Sequence, residues 1–275
     1  DEWTGDFPGQ LAPAVVEYYI HATESGGRRQ WLPAGSNAGD MTYNFIVGNM
    51  MSLYFNDFEG ANNEGWAHGS TAGVDDFERG TPQGKSGIGN RHEGVRWNDP
   101  VNAYSGSKIW ANDLGTGNDD GAYNESSNMW LESPSIDCTG AARTTLVFWR
   151  WASFEGGGND HAKIWVNNDQ VWTSPAYTGE ALHTTDVGWT QMVIDISNYA
   201  DNNSDVKVRF ELETDNILNL GGWGIDNFEI VALEQGEPTD TILLTGPTSA
   251  NTGAQVQYNF SAAPANASYS FLYSL

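Results

Sequence analysis

Short runs in which apolar and polar residues alternate recur along this chain, each closed by a cluster of Gly, Asn and Asp. Successive side chains of a strand point to opposite faces, so an alternating run is a strand with one face buried. Such runs, or β-rich equivalents, span 15–22, 42–47, 52–58, 107–111, 128–132, 144–151, 161–167, 190–196, 206–214 and 224–231. The sequences between them, GTGNDDG and EGGGND included, are turn chemistry, because Gly, Asn and Asp tolerate the positive φ of tight loops. In TTLVFWRWASF the bulky residues are consecutive, as in a strand buried on both faces, whereas HAKIWVNN alternates and fits a half-buried one. No window of helical length carries an apolar stripe of 3.6-residue period, which removes α/β folds with cofactor crevices from consideration. The pattern predicts an all-β fold, a β-sandwich of antiparallel sheets.

The 275 residues fit about two domains at ~150 residues each. Asp and Glu number 36 against 12 Lys and Arg, a formal net charge of −24 that no single block of like charge produces. Such a field repels phosphate backbones and anionic lipid, so it argues against nucleic acid and membrane surfaces as partners and in favour of divalent cations. With Cys138 as the single cysteine, neither an internal disulfide nor a thiolate metal site can form, and the residue reads as a small buried side chain. No run of ~18 apolar residues is present to span a bilayer. The opening DEWTGDFPGQ has neither the basic flank nor the apolar run of an export signal. Strand patterns near both ends lack partners, so both ends read as parts of further domains.

The central segment 49–233 carries, in order, FNDFEG, DPVNAYSGSKIWANDL, DGAYNESSNMWLESPSIDCTG, TLVFWRWASFEGGGNDHAKIWVNNDQVW and VKVRFELETDNILNLGGWGIDNFEI. This succession resembles the MAM-like jelly-roll modules of large secreted bacterial proteins, such as those beside immune-inhibitor-A-type metallopeptidases. Segment 1–48, with VEYYIHATESGGRRQWLP and YNFIVG, resembles the closing strands of an immunoglobulin-like or fibronectin-like module. EQGEPTD at 234–240 reads as a linker, and 241–275 resembles the opening strands of another immunoglobulin-like module.

The resemblance implies a jelly-roll β-sandwich acting as a non-catalytic accessory or interaction module, extracellular or at the cell surface. Its implied partners are other domains of the same polypeptide, and its implied cofactor is structural Ca2+. The residues it nominates as ligands are Glu59 in FNDFEG, Asp160 in GGGNDHAKIWV, Asp226 in WGIDNFEI and Asp99 in NDPVNAYSG. In such sandwiches the first and last strands lie close together, so Asp57, Glu59, Asp226 and Glu229 are expected to converge, and hard carboxylate oxygens suit calcium. Taken singly, these acids read equally well as solvent-facing residues. Asp160 is also a natural turn cap, and Asp99, before Pro100, a natural turn start.

Catalytic signatures are missing where their context would require them. ERGTPQGKSG places three residues between Gly80 and Gly84 where a phosphate loop needs four. His21, His68, His92, His161 and His183 are dispersed, with no HExxH, and no GxSxG elbow occurs. Carboxylates are too abundant for one pair to stand out as a glycosidase acid and base. A separate function class follows from the 12 tryptophans, since planar aromatics stack on sugar rings. Trp66, Trp97 and Trp110 lie in polar surroundings and are the candidate glycan-binding residues, with core packing as the plain alternative. Trp149, Trp151, Trp165 and Trp223 lie in strand patterns and read as core. An extracellular glycan or protein is thus a second expected partner.

Overall fold

The computed structural model describes residues 50–89, 95–116, 119–156, 158–174 and 183–233 with their side chains, and the backbone of six short strands outside them. Four of these strands precede the central segment: β1 (Ala14–Tyr18), β2 (Ile20–Thr23), β3 (Arg29–Leu32) and β4 (Tyr43–Val47), with β1 paired to β4 and β2 to β3, both antiparallel. The central strands follow: β5 (Met50–Asn56), β6 (Ala67–Ala72), β7 (Phe77–Gly80), β8 (Ser86–Ile88), β9 (Arg96–Asn98), β10 (Ile109–Asn112) and β11 (Asn128–Glu132). Next come β12 (Thr145–Phe154), β13 (His161–Val166), β14 (Asp169–Thr173), β15 (Thr184–Thr185), β16 (Thr190–Asp195), β17 (Val208–Glu213) and β18 (Gly222–Leu233). Beyond them β19 (Leu243–Thr245) pairs antiparallel with β20 (Asn259–Ser261). The linker expected at 234–240 lies outside the described residues.

The central strands form two large antiparallel sheets, a β-sandwich as the alternation predicts, and a separate antiparallel pair, β8 with β9. The five-stranded sheet runs β14-β13-β17-β11-β6. Its inner strands alternate cleanly, with Ala162, Ile164 and Val166, Val208, Phe210 and Leu212, and Met129 and Leu131 all turned into the core. The seven-stranded sheet runs β15-β12-β18-β10-β7, with β16 also on β12 and β5 on β18. The first and last strands of the segment therefore pair directly, Asn56 opposite Phe228 and Tyr54 opposite Ile230.

β12 and β18 are buried along almost their whole length, on both faces. Their inner faces contribute Leu146, Phe148, Ala152 and Phe154, and Trp223, Ile225, Phe228, Ile230 and Ala232, to the core. Ile225 and Phe228 are three apart, so a strict two-residue period would send them to opposite faces. The register between β12 and β18 slips at this point, and Asn227, at φ 46°, is the extra residue. A bulge with Asn in the left-handed region restores the phase.

Trp223 stands at the centre, its ring 4.8 Å from Phe154, 5.5 Å from Trp172 and 5.6 Å from Phe210. Its indole N–H donates to the Glu211 carbonyl across the sandwich at 3.2 Å. Cys138 is buried as expected, and burial pushes its thiol up to about 11, so it is inert at neutral pH. Replacing Trp223 by Ala removes the largest inter-sheet contact and is expected to lower stability by about 3–5 kcal/mol. A guanidinium midpoint in the variant indistinguishable from that of the parent protein would contradict this placement of the core.

Candidate functional site

The corner where β5 meets β18 gathers the acids the sequence nominated, together with the segment 99–108. Asp226 is fully buried on the outer face of the seven-stranded sheet. Its Oδ2 accepts from the Ser105 backbone N–H at 3.0 Å and its Oδ1 from Asn227 N–H at 2.7 Å, while Ser105 Oγ donates to Asn227 Oδ1 at 2.6 Å. Burial pushes the Asp226 carboxyl up to about 6, opposed by these backbone donors and assisted by the charge of Glu59. Glu59 accepts from Ser107 N–H at 2.7 Å, Lys108 N–H at 2.6 Å and Ser107 Oγ at 2.9 Å. Burial raises the Glu59 carboxyl, but those bonds and Lys108 outweigh it and hold it below the usual range.

Glu59 and Asp226 thus come together as the sequence implies, but the structure gives them different work. They pin the segment 99–108 to the sheet by accepting backbone N–H bonds. The carbonyls beside them are also taken. Lys108 Nζ donates to the carbonyls of Glu59 and Gly60 at 3.0 and 3.1 Å, and Arg79 Nη1 to those of Phe58 and Gly60 at 2.6 and 2.9 Å. Each of these oxygens accepts at least one hydrogen bond from the protein itself, and together the bonds hold the segment against the sheet. Asp57 caps the Glu59 N–H at 3.2 Å, and Glu229 stands opposite Phe55 in the sheet.

Asp160 lies elsewhere, at the start of β13. Its Oδ2 accepts from the Tyr123 hydroxyl at 2.5 Å and its Oδ1 from Asp215 N–H at 2.8 Å. Carboxylate oxygens of Glu155, Asp160 and Asp215 fall within 4.8 Å of one another, with Glu155 and Asp160 buried. Burial pushes the Asp160 carboxyl up to about 7, with Glu155 and Asp215 adding repulsion that the Tyr123 and Asp215 donors offset in part. Burial, then Asp160 and Glu155, raise the Tyr123 hydroxyl well above its ordinary value. Hard oxygens crowded this closely suit a divalent cation. Neither Glu155 nor Asp215 was nominated by the sequence, because they stand at the ends of β12 and β17 and only the folded turns bring them to Asp160.

Asp99 forms a third locality. Burial pushes its carboxyl up to about 8, with Asp113 and Asp120 contributing repulsion. Its Oδ2 is buried and accepts no hydrogen bond within the protein. The four nominated acids therefore occupy three places rather than one.

The nominated tryptophans are core residues. Trp66 is 4% exposed and packs edge-on against Phe58 and Phe228, Trp97 is 5% exposed and Trp110 1%. None presents a face to solvent, which corrects their reading as sugar-stacking residues. Burial on these strands outweighs the polar neighbours that suggested exposure. Conversely Trp149, Trp151 and Trp165, which the strand pattern placed in the core, lie half-buried on outer faces, and only Trp223 of that group is central. Among the described residues no helix is long and apolar enough to cross a membrane.

No protein-family model matches the chain, and no curated protein matches it in sequence. Its structure is similar to the K1 cleaved adhesin domain of Lys-gingipain from Porphyromonas gingivalis W83, with TM-score 0.39 and 13% identity over 68% of this chain and 100% of that one. It is also similar to TmCBM61 in complex with β-1,4-galactotriose, with TM-score 0.39 and 14% identity over 66% of this chain and 99% of that one. A third similar structure is the CBM22-1 xylan-binding domain from Paenibacillus barcinonensis Xyn10C, with TM-score 0.32 and 14% identity over 68% and 99% of the two chains.

The raised carboxyls fix the sign of a pH dependence. Asp99, Asp160 and Asp226 hold their protons to higher pH folded than at the ordinary 3.8, so their contribution to stability is complete below that value and is lost as pH rises through about 6 to 8. In chelator, the melting temperature is expected to fall from pH 5 to pH 8. Asp99→Asn should flatten the upper part of that fall. A melting temperature that climbs over this range would reverse the assignment.

Proposed function

We propose that the chain is a non-catalytic binding or accessory module of an extracellular protein, its sandwich stabilised by calcium held by Glu155, Asp160 and Asp215. The crowding of these carboxylates within 4.8 Å, two of them buried, carries the reading. The charges of Glu155 and Asp215 add to burial in raising the Asp160 carboxyl, and a divalent ion among the three would turn that repulsion into attraction. Tyr123 and the backbone of Asp215 orient Asp160 for this role. The resemblance of 49–233 to MAM-like jelly rolls belongs to the same proposal, as does a secreted bacterial parent protein, whether or not a metallopeptidase. The lack of a nucleophile, zinc or phosphate-loop motif supports a module without turnover of its own.

Calcium binding confined to the native state raises stability by mass action, about 2.7 kcal/mol at a hundredfold excess over the dissociation constant. Thermal melts in chelator and in excess calcium are expected to separate. Asp160→Asn or Asp215→Asn should abolish the separation, whereas Asp226→Ala should lower both transitions alike because it unpins 99–108. Coincident transitions for the parent protein would sink the calcium reading.

A carbohydrate-binding module is the second reading. The tryptophans first nominated for it are buried, but a different aromatic group is half-exposed. Trp149, Trp151, Trp189 and Tyr104 cluster on the outer face of the seven-stranded sheet.

A further inference from the structure

The outer face of the seven-stranded sheet carries a continuous row of rings. Tyr104, 42% exposed, stacks on Trp149 with centroids 3.7 Å apart and planes 13° from parallel. It meets the edge of Trp189 at 6.4 Å, and Trp189 meets Trp151 at 5.9 Å. Gly224 lies beneath: a Cβ there would come within 3.2 Å of the Trp151 carbonyl and 3.7 Å of the Trp189 ring, so the bare backbone leaves room for the two indoles to meet edge-on over it, their planes 76° apart. The row is fixed before any ligand arrives. Trp151 Nε1 donates to the Asn98 carbonyl at 2.7 Å and Trp189 Nε1 to that of Asn102 at 3.1 Å, which ties the indoles to the same segment that Asp226 and Glu59 anchor.

At the Trp151 end the row adjoins a small cleft with room for about one water molecule, lined by Gln83, Asp99, Ile109, Asp113, Trp151 and Gly224 among others. Asp99 brings to it the carboxylate oxygen that accepts no hydrogen bond within the protein. A hydroxyl entering there would satisfy this oxygen, while Gln83 stands exposed at the rim. The row thus combines flat apolar faces with a polar acceptor at one end.

The geometry points to a neutral saccharide as the occupant, its ring faces on Tyr104 and Trp189 and a hydroxyl on Asp99. Large aromatic side chains present ~150–250 Å² each, so four that are mostly buried leave on the order of 300 Å² exposed. A protein partner needs about 800 Å² on each side. The cleft beside Trp151 has room for about one water, so a single hydroxyl is all of a ligand that can enter it. The net charge of −24 disfavours anionic glycans and nucleic acid, and leaves a neutral ligand unaffected. The assignment rests on the reading of the chain as a binding module.

The test is affinity electrophoresis of the intact chain, in excess calcium, through gels containing β-glucan, xylan, galactan or galactomannan, with chromatography of each polysaccharide after incubation. Retardation by at least one is expected, without shortening of the polysaccharide. Tyr104→Ala and Trp189→Ala should weaken it at least tenfold, Tyr104→Phe should keep it, and Asp99→Ala should weaken it, with melting curves showing each variant folded. No retardation in any gel would overturn the saccharide assignment and leave the module reading standing. Retardation indifferent to Tyr104→Ala and Trp189→Ala would overturn the site. Shortened polysaccharide that persists in repeat preparations would instead overturn the non-catalytic reading.

Discussion

The pairing of β12 with β18, both buried on two faces, is the constraint from which the rest of the sandwich follows. The inner faces of these strands meet the five-stranded sheet and supply Trp223, Phe148 and Phe154 to the core. Their outer faces carry Trp149, Trp151 and the Asp226 carboxylate. Leaving apolar rings and a buried acid bare would be unfavourable, so the segment 99–108 folds across them. The bulge at Asn227 belongs to the same solution. It keeps Ile225 and Phe228 in the core while turning Asp226 outward, where Ser105 can reach it.

A chain with a net charge of −24 must place some carboxylates out of water, and this one does so in chemically distinct ways. Asp226 and Glu59 accept backbone N–H bonds, so their charge is spread into the peptide framework without a cation. Asp186 meets the buried Arg150 guanidinium through two bonds of 2.9 and 3.0 Å and also accepts from Ala152 N–H. Asp201 accepts from Arg143 N–H, Thr144 N–H and the Thr144 hydroxyl at the head of β12. In each case donors match acceptors, and the acid is structural. Asp160 differs because its carboxylate oxygens lie within 4.8 Å of those of two further acids, Glu155 and Asp215. That contrast, rather than acid content as such, separates a candidate ion site from ordinary buried acid.

How much of this was legible in the sequence depended on whether burial left a mark on local pattern. The alternation of HAKIWV gave away β13, and the continuous bulk of TLVFWRWASF gave away β12, because each records which faces are covered. The strand Ala67–Ala72 was not legible: its edge position leaves AHGSTA mostly exposed, so nothing apolar marks it. The short strands Phe77–Gly80, Ser86–Ile88, Arg96–Asn98 and Asp169–Thr173 escaped for the same reason of length or exposure. The burial of Asp226 could be read from its apolar neighbours, but one of its donors, the Ser105 N–H, comes from 121 residues away, a separation no local pattern records. Trp66 and Trp110 were misread in one direction and Trp149 and Trp151 in the other, since neighbouring polarity reports the average environment of a strand and not the face on which one ring lies.

The covering segment also limits what the outer face can recognise. The indole N–H groups of Trp151 and Trp189, which would otherwise be the natural donors to a ligand, are already spent on the carbonyls of Asn98 and Asn102. Recognition there must come from ring faces and from acceptors, chiefly the Asp99 oxygen. Ring faces distinguish ligands by the flatness and extent of their C–H surface, and a single acceptor distinguishes them by where one hydroxyl points. A face built this way discriminates weakly between related rings but strongly against anything charged like the protein itself. The same hydrogen bonds that hold the segment in place therefore fix the rings before binding, so little ordering remains to oppose association, and selectivity is traded for a preformed surface.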